Sequence, residues 1–317
     1  MLNMYPIASG ALSTPCKNAS WIDLLDPTPE ETARVAADCG LQIPSRESLQ
    51  EIENSSRLRA DGGVLYMSMP LAIQDGAHLV PVPLGFILSP QRLITLRYSD
   101  VHAFAHVVPR VEADPQLSGT AIFVALVEGM VDFSADLLEK LSSDLATVSA
   151  KSFGQQNPVS ADDKRKSHAL RECVSAIGIA GERASRIRES LLGLQRVIGF
   201  VTEMCSDGTQ PELKTRLKTA RQDVVSLVEF EGYLSAKAQF LLDAVLGFIN
   251  TEQNEIFKVL TIVSVVGIPP TLIASMYGMN FHYMPELAWR WGYPYGLALI
   301  GLSTLVPIIW FKRRGWW

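Results

Sequence analysis

The chain has 317 residues, enough for two domains or for one domain and a membrane module. Hydrophobic residues make up 48% of it and its mean hydropathy is slightly positive, which a wholly soluble chain rarely shows. A net charge of −5 excludes a typical nucleic-acid binder, which needs basic surface to displace counterions from phosphates.

The N-terminus, MLNMYPIASGALSTP, has no basic residue ahead of an apolar run, so it does not read as a secretory signal and the start of the chain is expected in the cytoplasm. Cys16, Cys39, Cys173 and Cys205 lie far apart without a CxxC pair and are expected as reduced thiols. Trp21-Ile22-Asp23-Leu24 reads as a first strand. Asp26 or Thr28 then offers an N-cap to a helix with Pro29, Glu30 and Glu31 in its first turn. VLYMSMPLAI, LVPVPLGFIL and RLITLRY read as three strands, separated by Asp75-Gly76 and Ser89-Pro90, while Gly62-Gly63 signals a turn. Helices are expected at about 100–113 and 117–153, giving an α/β domain over 1–155 with a largely antiparallel sheet and flanking helices. His102 and His106 are four apart on the first of these helices, a spacing that permits a shared metal, although no HExxH or neighbouring Cys supplies a third ligand. The sequence holds no nucleotide-binding glycine loop and no catalytic constellation, so an enzyme is not expected.

Gln155, Asn157 and Pro158 mark a turn before a helix over 164–203. Its charges (Arg165, Arg171, Glu172, Glu182, Arg183, Arg186, Arg188, Glu189) read as a solvated face. From Pro211 onward, Leu213, Leu217, Ala220, Val224, Leu227, Leu234, Ala238, Leu241, Val245 and Phe248 form a heptad-like seam. Glu231 and Glu252 occupy seam positions, which suits a wide or wet axis better than a dry one. Residues 156–258 thus read as long cytoplasmic helices, the last of them running without a breaker into an apolar span. That continuous helix has about 65 residues and a length of about 100 Å at 1.5 Å per residue.

No charged residue lies between Lys258 and Glu286, and a second uncharged stretch runs over 291–311. Each is long enough to cross a bilayer as a helix. The expected order is a first span over 259–281, an external loop over 282–290, a second span over 291–311 and a basic tail over 312–317. Lys312, Arg313 and Arg314 put both chain ends on the cytoplasmic side by the positive-inside rule, and Trp and Tyr residues flank both spans. Pro269 and Pro270 leave helix carbonyls without amide donors inside the first span, a cost that a lipid-facing anchor has no reason to carry and a wet pore lining tolerates.

YGMNFHYMPELAWRWGYP (277–294) closely resembles the signature region of the CorA family of magnesium channels. The similarity extends upstream through NEIFKVLTIVSVVGIPPTLIAS, downstream to FKRRGWW and, more weakly, to the N-terminal WIDLLDPTPEE. The resemblance implies a funnel-shaped homopentamer in a bacterial inner membrane that takes up Mg²⁺, with Co²⁺ and Ni²⁺ as further cargo. It implies a selectivity motif at Gly278, Met279 and Asn280, whose oxygens would read the hydration shell of an ion that gives up water reluctantly. It implies polar rings at Thr271 and Asn254, an apolar constriction at Ile268, Leu260 and Phe257, and Tyr277 on the pore side. Glu286 would draw cations to the mouth, and Lys312, Arg313 and Arg314 would ring the inner end. Closure by cytoplasmic Mg²⁺ is also implied, with Asp223, Glu229, Glu231 and Asp243 as candidate ligands, although an ungapped count puts Thr219 where the family carries an acid. The alternatives are a proton-coupled Zn²⁺ transporter of the same superfamily, which tends to depart from GMN, and a membrane-anchored sensor or scaffold.

Overall fold

In a computed structural model, residues 1–5, 19–51, 53, 57–76, 78–114, 116–154, 163–204, 210–279, 282, 284–285 and 289–316 are described. Cys16, Cys205 and the turn at 155–158 lie outside them, whereas Cys39 and Cys173 are free thiols. The chain divides into two units, Met1–Leu242 and Asp243–Trp317.

The first unit is built on a six-stranded sheet of order β1-β2-β6-β5-β4-β3. Its strands are β1 (Leu2–Tyr5), β2 (Trp21–Leu25), β3 (Leu58–Asp61), β4 (Val64–Asp75), β5 (His78–Leu88) and β6 (Leu93–Arg97). The three expected strands after residue 63 are β4, β5 and β6, joined by tight turns. Asp61 pairs directly with Val64, so Gly62 and Gly63 form a two-residue hairpin loop at φ 56° and 79°, the left-handed backbone that a primed turn demands. Four of the five strand pairings are antiparallel, but β2 and β6 run parallel, with Trp21 opposite Leu93. A whole crossover and three hairpin connections separate β2 from β6 in the chain, so no local turn dictates their direction.

Alternation along β2 and β6 sends residues to two different helical layers. Ile22, Leu24, Ile94 and Leu96 join Ile87 in a cluster with Val35 of α1 (Pro29–Cys39) and Leu49 of α2 (Arg46–Leu49). Helix α1 begins with a capping box: the Glu31 amide donates to Thr28 Oγ1 at 3.2 Å and the Thr28 amide donates to the Glu31 carboxylate at 2.9 Å. The other sheet face meets α3 (His102–Ala113), α4 (Gly119–Gly154) and α5 (Asp163–Met204). There Trp21 lies against Phe104, and Phe86 meets Phe123 edge to face with ring centres 5.4 Å apart. Gly119 allows the start of α4 to reach the backbone of β6: a Cβ at that position would stand 2.5 Å from the Arg92 carbonyl carbon.

Buried in the second face is an ion pair. Arg97 donates through Nε and Nη2 to Asp23, the shortest contact being 2.8 Å. Thr95 Oγ1 donates to Asp23 Oδ1 at 2.8 Å, and Trp21 Nε1 donates to Thr95 Oγ1 at 3.0 Å. Burial pulls the Arg97 guanidinium down, and its hydrogen bonds and charge attraction to Asp23 and Asp100 more than offset this, so its pKa stands above the ordinary value.

Helix α6 (Pro211–Tyr277) is continuous over 67 residues, as the lack of a breaker predicts. In the first unit its seam residues Leu213, Leu217, Ala220, Val224, Leu234, Ala238 and Leu241 are buried. Its side chains reach α4 through Arg216, which grips Glu128 by two bonds of 2.8 and 2.6 Å, and through Phe240 stacked on Phe153. The expected solvated face of α5 is in part a bridging face. Arg183 pairs with Asp144 of α4 at 2.9 Å and Arg188 with Glu231 of α6 at 2.6 Å. Across this interface between long helices Arg188 neutralises an acid that would otherwise be stranded, since Glu231 is buried, whereas Asp144 remains partly open to solvent. The second unit holds the end of α6 and α7 (Gly292–Arg313), and both helices are long and apolar enough to cross a membrane.

Candidate functional site

Because an α-helix advances 100° per residue, the end of α6 can be read as faces. Asn254, Phe257, Leu260, Ile268 and Thr271 project within an arc of about 120°. All five are exposed, Phe257 and Ile268 each at 63%. Thr261, Ser264 and Ser275 fall in the same arc. Ile262, Val266, Ile273 and Tyr277 lie on the opposite side and are half-buried. Tyr277 approaches α7 where a Cβ on Gly296 would stand 3.9 Å from its ring. The helix therefore has one side turned toward its own second span and, opposite it, a mixed apolar and hydroxyl-bearing side left uncovered. Tyr277 belongs to the half-buried side rather than to the exposed arc.

The chemistry of the exposed arc follows its order. Asn254 begins it, Phe257 and Leu260 give an apolar stretch, Ile268 is a second apolar position, and Thr271 restores a hydroxyl. Thr271 Oγ1 donates to the Gly267 carbonyl at 2.7 Å, and Thr261 Oγ1 to Phe257 at 2.7 Å. These hydroxyls thus sit on the helix backbone with their oxygen lone pairs directed outward. Pro269 and Pro270 lack the amides that would reach the Val265 and Val266 carbonyls, one turn below Thr271. Helix α6 ends at Tyr277, and Gly278 turns the chain with its amide on the Ala274 carbonyl at 3.0 Å. Gly278 and Met279 are exposed beyond the helix end, while Asn280 and Glu286 lie outside the described residues.

At the far end of α7, Lys312 and Arg313 occupy the last turn, where cations complement the helix dipole. Arg314 caps it and lies over the Trp310 ring at 4.8 Å. The candidate regulatory acids do not converge within one chain. On the α6 wheel Asp223, Glu229 and Glu231 point in three well-separated directions. Asp223 and Glu229 are exposed, as is Asp243 in the second unit. Glu231 is 1% exposed and accepts from Arg188 and from Ser235 Oγ, each at 2.6 Å. Its position on the seam is thus explained by a counter-charge on α5 that lies 43 residues away in the chain. Among the described residues no group of three His, Cys, Asp or Glu side chains is placed to hold a metal. Thr261 and Ser264 share the arc with these residues, a placement that a full helical projection of 254–278 reveals and a search for isolated motifs passes over.

Residues 17–313 match the model of a family described as CorA-like Mg²⁺ transporter protein. The magnesium transport protein CorA of Escherichia coli (strain K12) is 32% identical over 308 residues, which cover 96% of this chain and 94% of that protein. Its counterpart in Salmonella typhimurium (strain LT2) is 32% identical over 303 residues, covering 94% and 92%. Among solved structures, the complete CorA magnesium transporter from Methanocaldococcus jannaschii has a TM-score of 0.74 at 17% identity, over 98% of this chain and 95% of that one. The cytoplasmic domain of ZntB from Vibrio parahaemolyticus has a TM-score of 0.53 at 10% identity, over 73% and 88%. These two likenesses speak for the fold of sheet, flanking helices and long helix. With nearly its whole length matched by the family model and by relatives at about a third identity, the chain belongs to the CorA family of Mg²⁺ transporter proteins.

Proposed function

We propose that this chain is one subunit of a homopentameric channel that admits hydrated Mg²⁺ through a bacterial inner membrane, with both chain ends in the cytoplasm. The observation that carries the reading is the exposed arc of α6 leading to Gly278 and Met279, set in a chain of the CorA family. On this reading Asn280 and the Gly278 carbonyl accept hydrogen bonds from the ion's bound waters, so the ion is selected without being stripped. Ions with the same hydrated geometry, Co²⁺ and Ni²⁺, follow the same route. Phe257, Leu260 and Ile268 form an apolar throat that stops conduction when it is narrow enough to exclude water. Ile and Phe are stiffer than unbranched side chains, so this throat opens by helix displacement more than by side-chain rotation. Glu286 concentrates cations at the mouth, and Lys312, Arg313 and Arg314 anchor the inner end of the second span. Cytoplasmic Mg²⁺ favours the closed state by binding between subunits, with Asp223, Glu229 and Asp243 as candidate ligands among the exposed acids of α6.

The test is Mg²⁺ entry into proteoliposomes carrying a Mg²⁺-sensitive dye, with wild type beside Asn280→Ala. Entry that needs no proton gradient and is lost in the variant supports the channel. Absence of Mg²⁺ entry with proton-driven Zn²⁺ entry refutes it and moves the chain to the zinc-transporting reading.

A further inference from the structure

We infer that the outer face of α3 carries a chelating site for a borderline transition-metal ion, formed by the imidazoles of His102 and His106 and distinct from the conduction path. The two residues are four apart on one helix, both are exposed, and their Nε2 atoms stand 3.2 Å from each other with the rings nearly perpendicular at 85°. With metal–nitrogen bonds of about 2.05 Å, that separation subtends about 100° at a shared ion, between octahedral and tetrahedral values. The separation of the two nitrogens therefore matches the bite of a bidentate ligand. Their backbone is held from below. Ala103, Phe104, Val107 and Val111 bury the opposite side of α3, and Ala103 meets α4 so closely that a Cβ on Gly129 would lie 3.2 Å from it.

The same contact can be closed without metal by one Nε2–H donating to the other Nε2. Chelation needs both Nε2 lone pairs, so the donor ring carries its proton on Nδ1 instead; each imidazole stays neutral and keeps one N–H. Around the pair lies a cleft of about 420 Å³ between α3 and α4, with Arg110, Asp132 and Asp136 in its wall. Glu128 also lines it but is engaged by Arg216. Among the described residues no third His, Cys or carboxylate joins the two nitrogens, so water fills the remaining coordination positions.

A pair of imidazoles selects by chemistry. Mg²⁺ prefers hard oxygen ligands and retains its water, whereas Co²⁺, Ni²⁺ and Zn²⁺ take imidazole nitrogen readily. The site thus discriminates against Mg²⁺ and in favour of Co²⁺, Ni²⁺ and Zn²⁺. It also has a structural consequence. Helix α3 starts at His102, and its N-cap Val101 has no side chain to hold the first amides. A metal bridging His102 to His106 clasps that uncapped first turn and slows its fraying.

The experiment uses tag-free full-length protein in detergent with millimolar Mg²⁺ present throughout, and Ni²⁺ as the probe. Wild type is expected to bind one more Ni²⁺ per chain than either His102→Gln or His106→Gln, each substitution weakening that site at least tenfold. Ni²⁺ should also slow amide exchange across the first turn of α3 in wild type and in neither variant. Equal Ni²⁺ isotherms in all three proteins overturn the site, as does its displacement by Mg²⁺ at equal concentration. Transport plays no part in either readout, so this site and the channel reading succeed or fail separately.

Discussion

Asp23→Asn tests whether the buried network behind β2 and β6 holds the first unit together. The substitution keeps the shape and leaves Oδ1 to accept from Thr95, but it turns a neutral amide toward Arg97. Side-chain exposure is 3% for Asp23 and 9% for Arg97, so water does not replace what is lost. Two charge-assisted hydrogen bonds disappear, each worth about 1.5–3 kcal/mol, and Asp100 at 3.0 Å retains part of the compensation for Arg97. The expected loss is about 3 kcal/mol, or roughly 6–12 °C in melting temperature for a unit of this size. Thermal unfolding of the detergent-solubilised protein, followed by circular dichroism, measures it. The double substitution Asp23→Leu with Arg97→Met removes both charges and is expected to recover much of the loss, since apolar replacement of a buried pair is often close to neutral. A single variant melting within about 2 °C of wild type, or a double variant showing no coupling between the two sites, would refute the reasoning.

Glu231→Gln breaks the buried contact to Arg188, whose side chain is half exposed, and is expected to cost about 1–2 kcal/mol in urea unfolding. Because the carboxylate is enclosed by Arg188 and Ser235, the variant should keep any protection against proteolysis that millimolar Mg²⁺ gives wild type. Gly119→Ala forces a Cβ to 2.5 Å from the Arg92 backbone and is expected to reduce folded yield and melting temperature sharply, whereas Gly181→Ala, with open space around it, should not. The Glu31 carboxyl is held below the ordinary carboxylate range, first by the Thr28 amide and then by the N-terminal ammonium. Its contribution is therefore complete above the unfolded value and lost as pH falls through the lowered folded one. Melting curves of wild type and Glu31→Gln should differ at neutral pH and converge in acid.

What could be read from the sequence was what local chemistry fixes. The strands β4, β5 and β6 are runs of apolar and β-branched residues punctuated by turn formers, and the two spans are defined by lack of charge. Asp23 also stood in plain view inside a strand signal, but which face it occupied depended on a parallel partner that lies 72 residues on. The strands β1 and β3 escaped notice for a related reason: LNMY and LRAD are edge strands of four residues, too short and too polar for alternation to register. Arg188 on α5 and Glu231 on α6 each had a reasonable reading alone, one as a solvated charge and one as a misfit on an apolar seam. Only the register between two helices turns both anomalies into one ion pair. Helical phase, in contrast, needs no partner, and the arc from Asn254 to Thr271 follows from residue spacing once the helix is known to be continuous.

That arc also bears on why one copy of the chain is insufficient for the proposed activity. A helix with lipid on its outer side gains nothing from Asn254, Thr261 and Thr271, or from the Val265 and Val266 carbonyls that Pro269 and Pro270 leave without helical donors. A helix around water gains little from exposed Phe257, Leu260 and Ile268. The side chains of both sets, Asn254, Thr261 and Thr271 with Phe257, Leu260 and Ile268, occur on the side of α6 opposite the half-buried Tyr277, where the described residues of the same chain leave them exposed. The two requirements are met together when the same arc from several copies faces a common axis. Apolar side chains then pack against their symmetry mates to narrow the passage, and the hydroxyls and free carbonyls face whatever water and ions remain within it. On the proposed reading the energetic cost of the double proline in a single helix is relieved by assembly, which ties ion passage to oligomerisation.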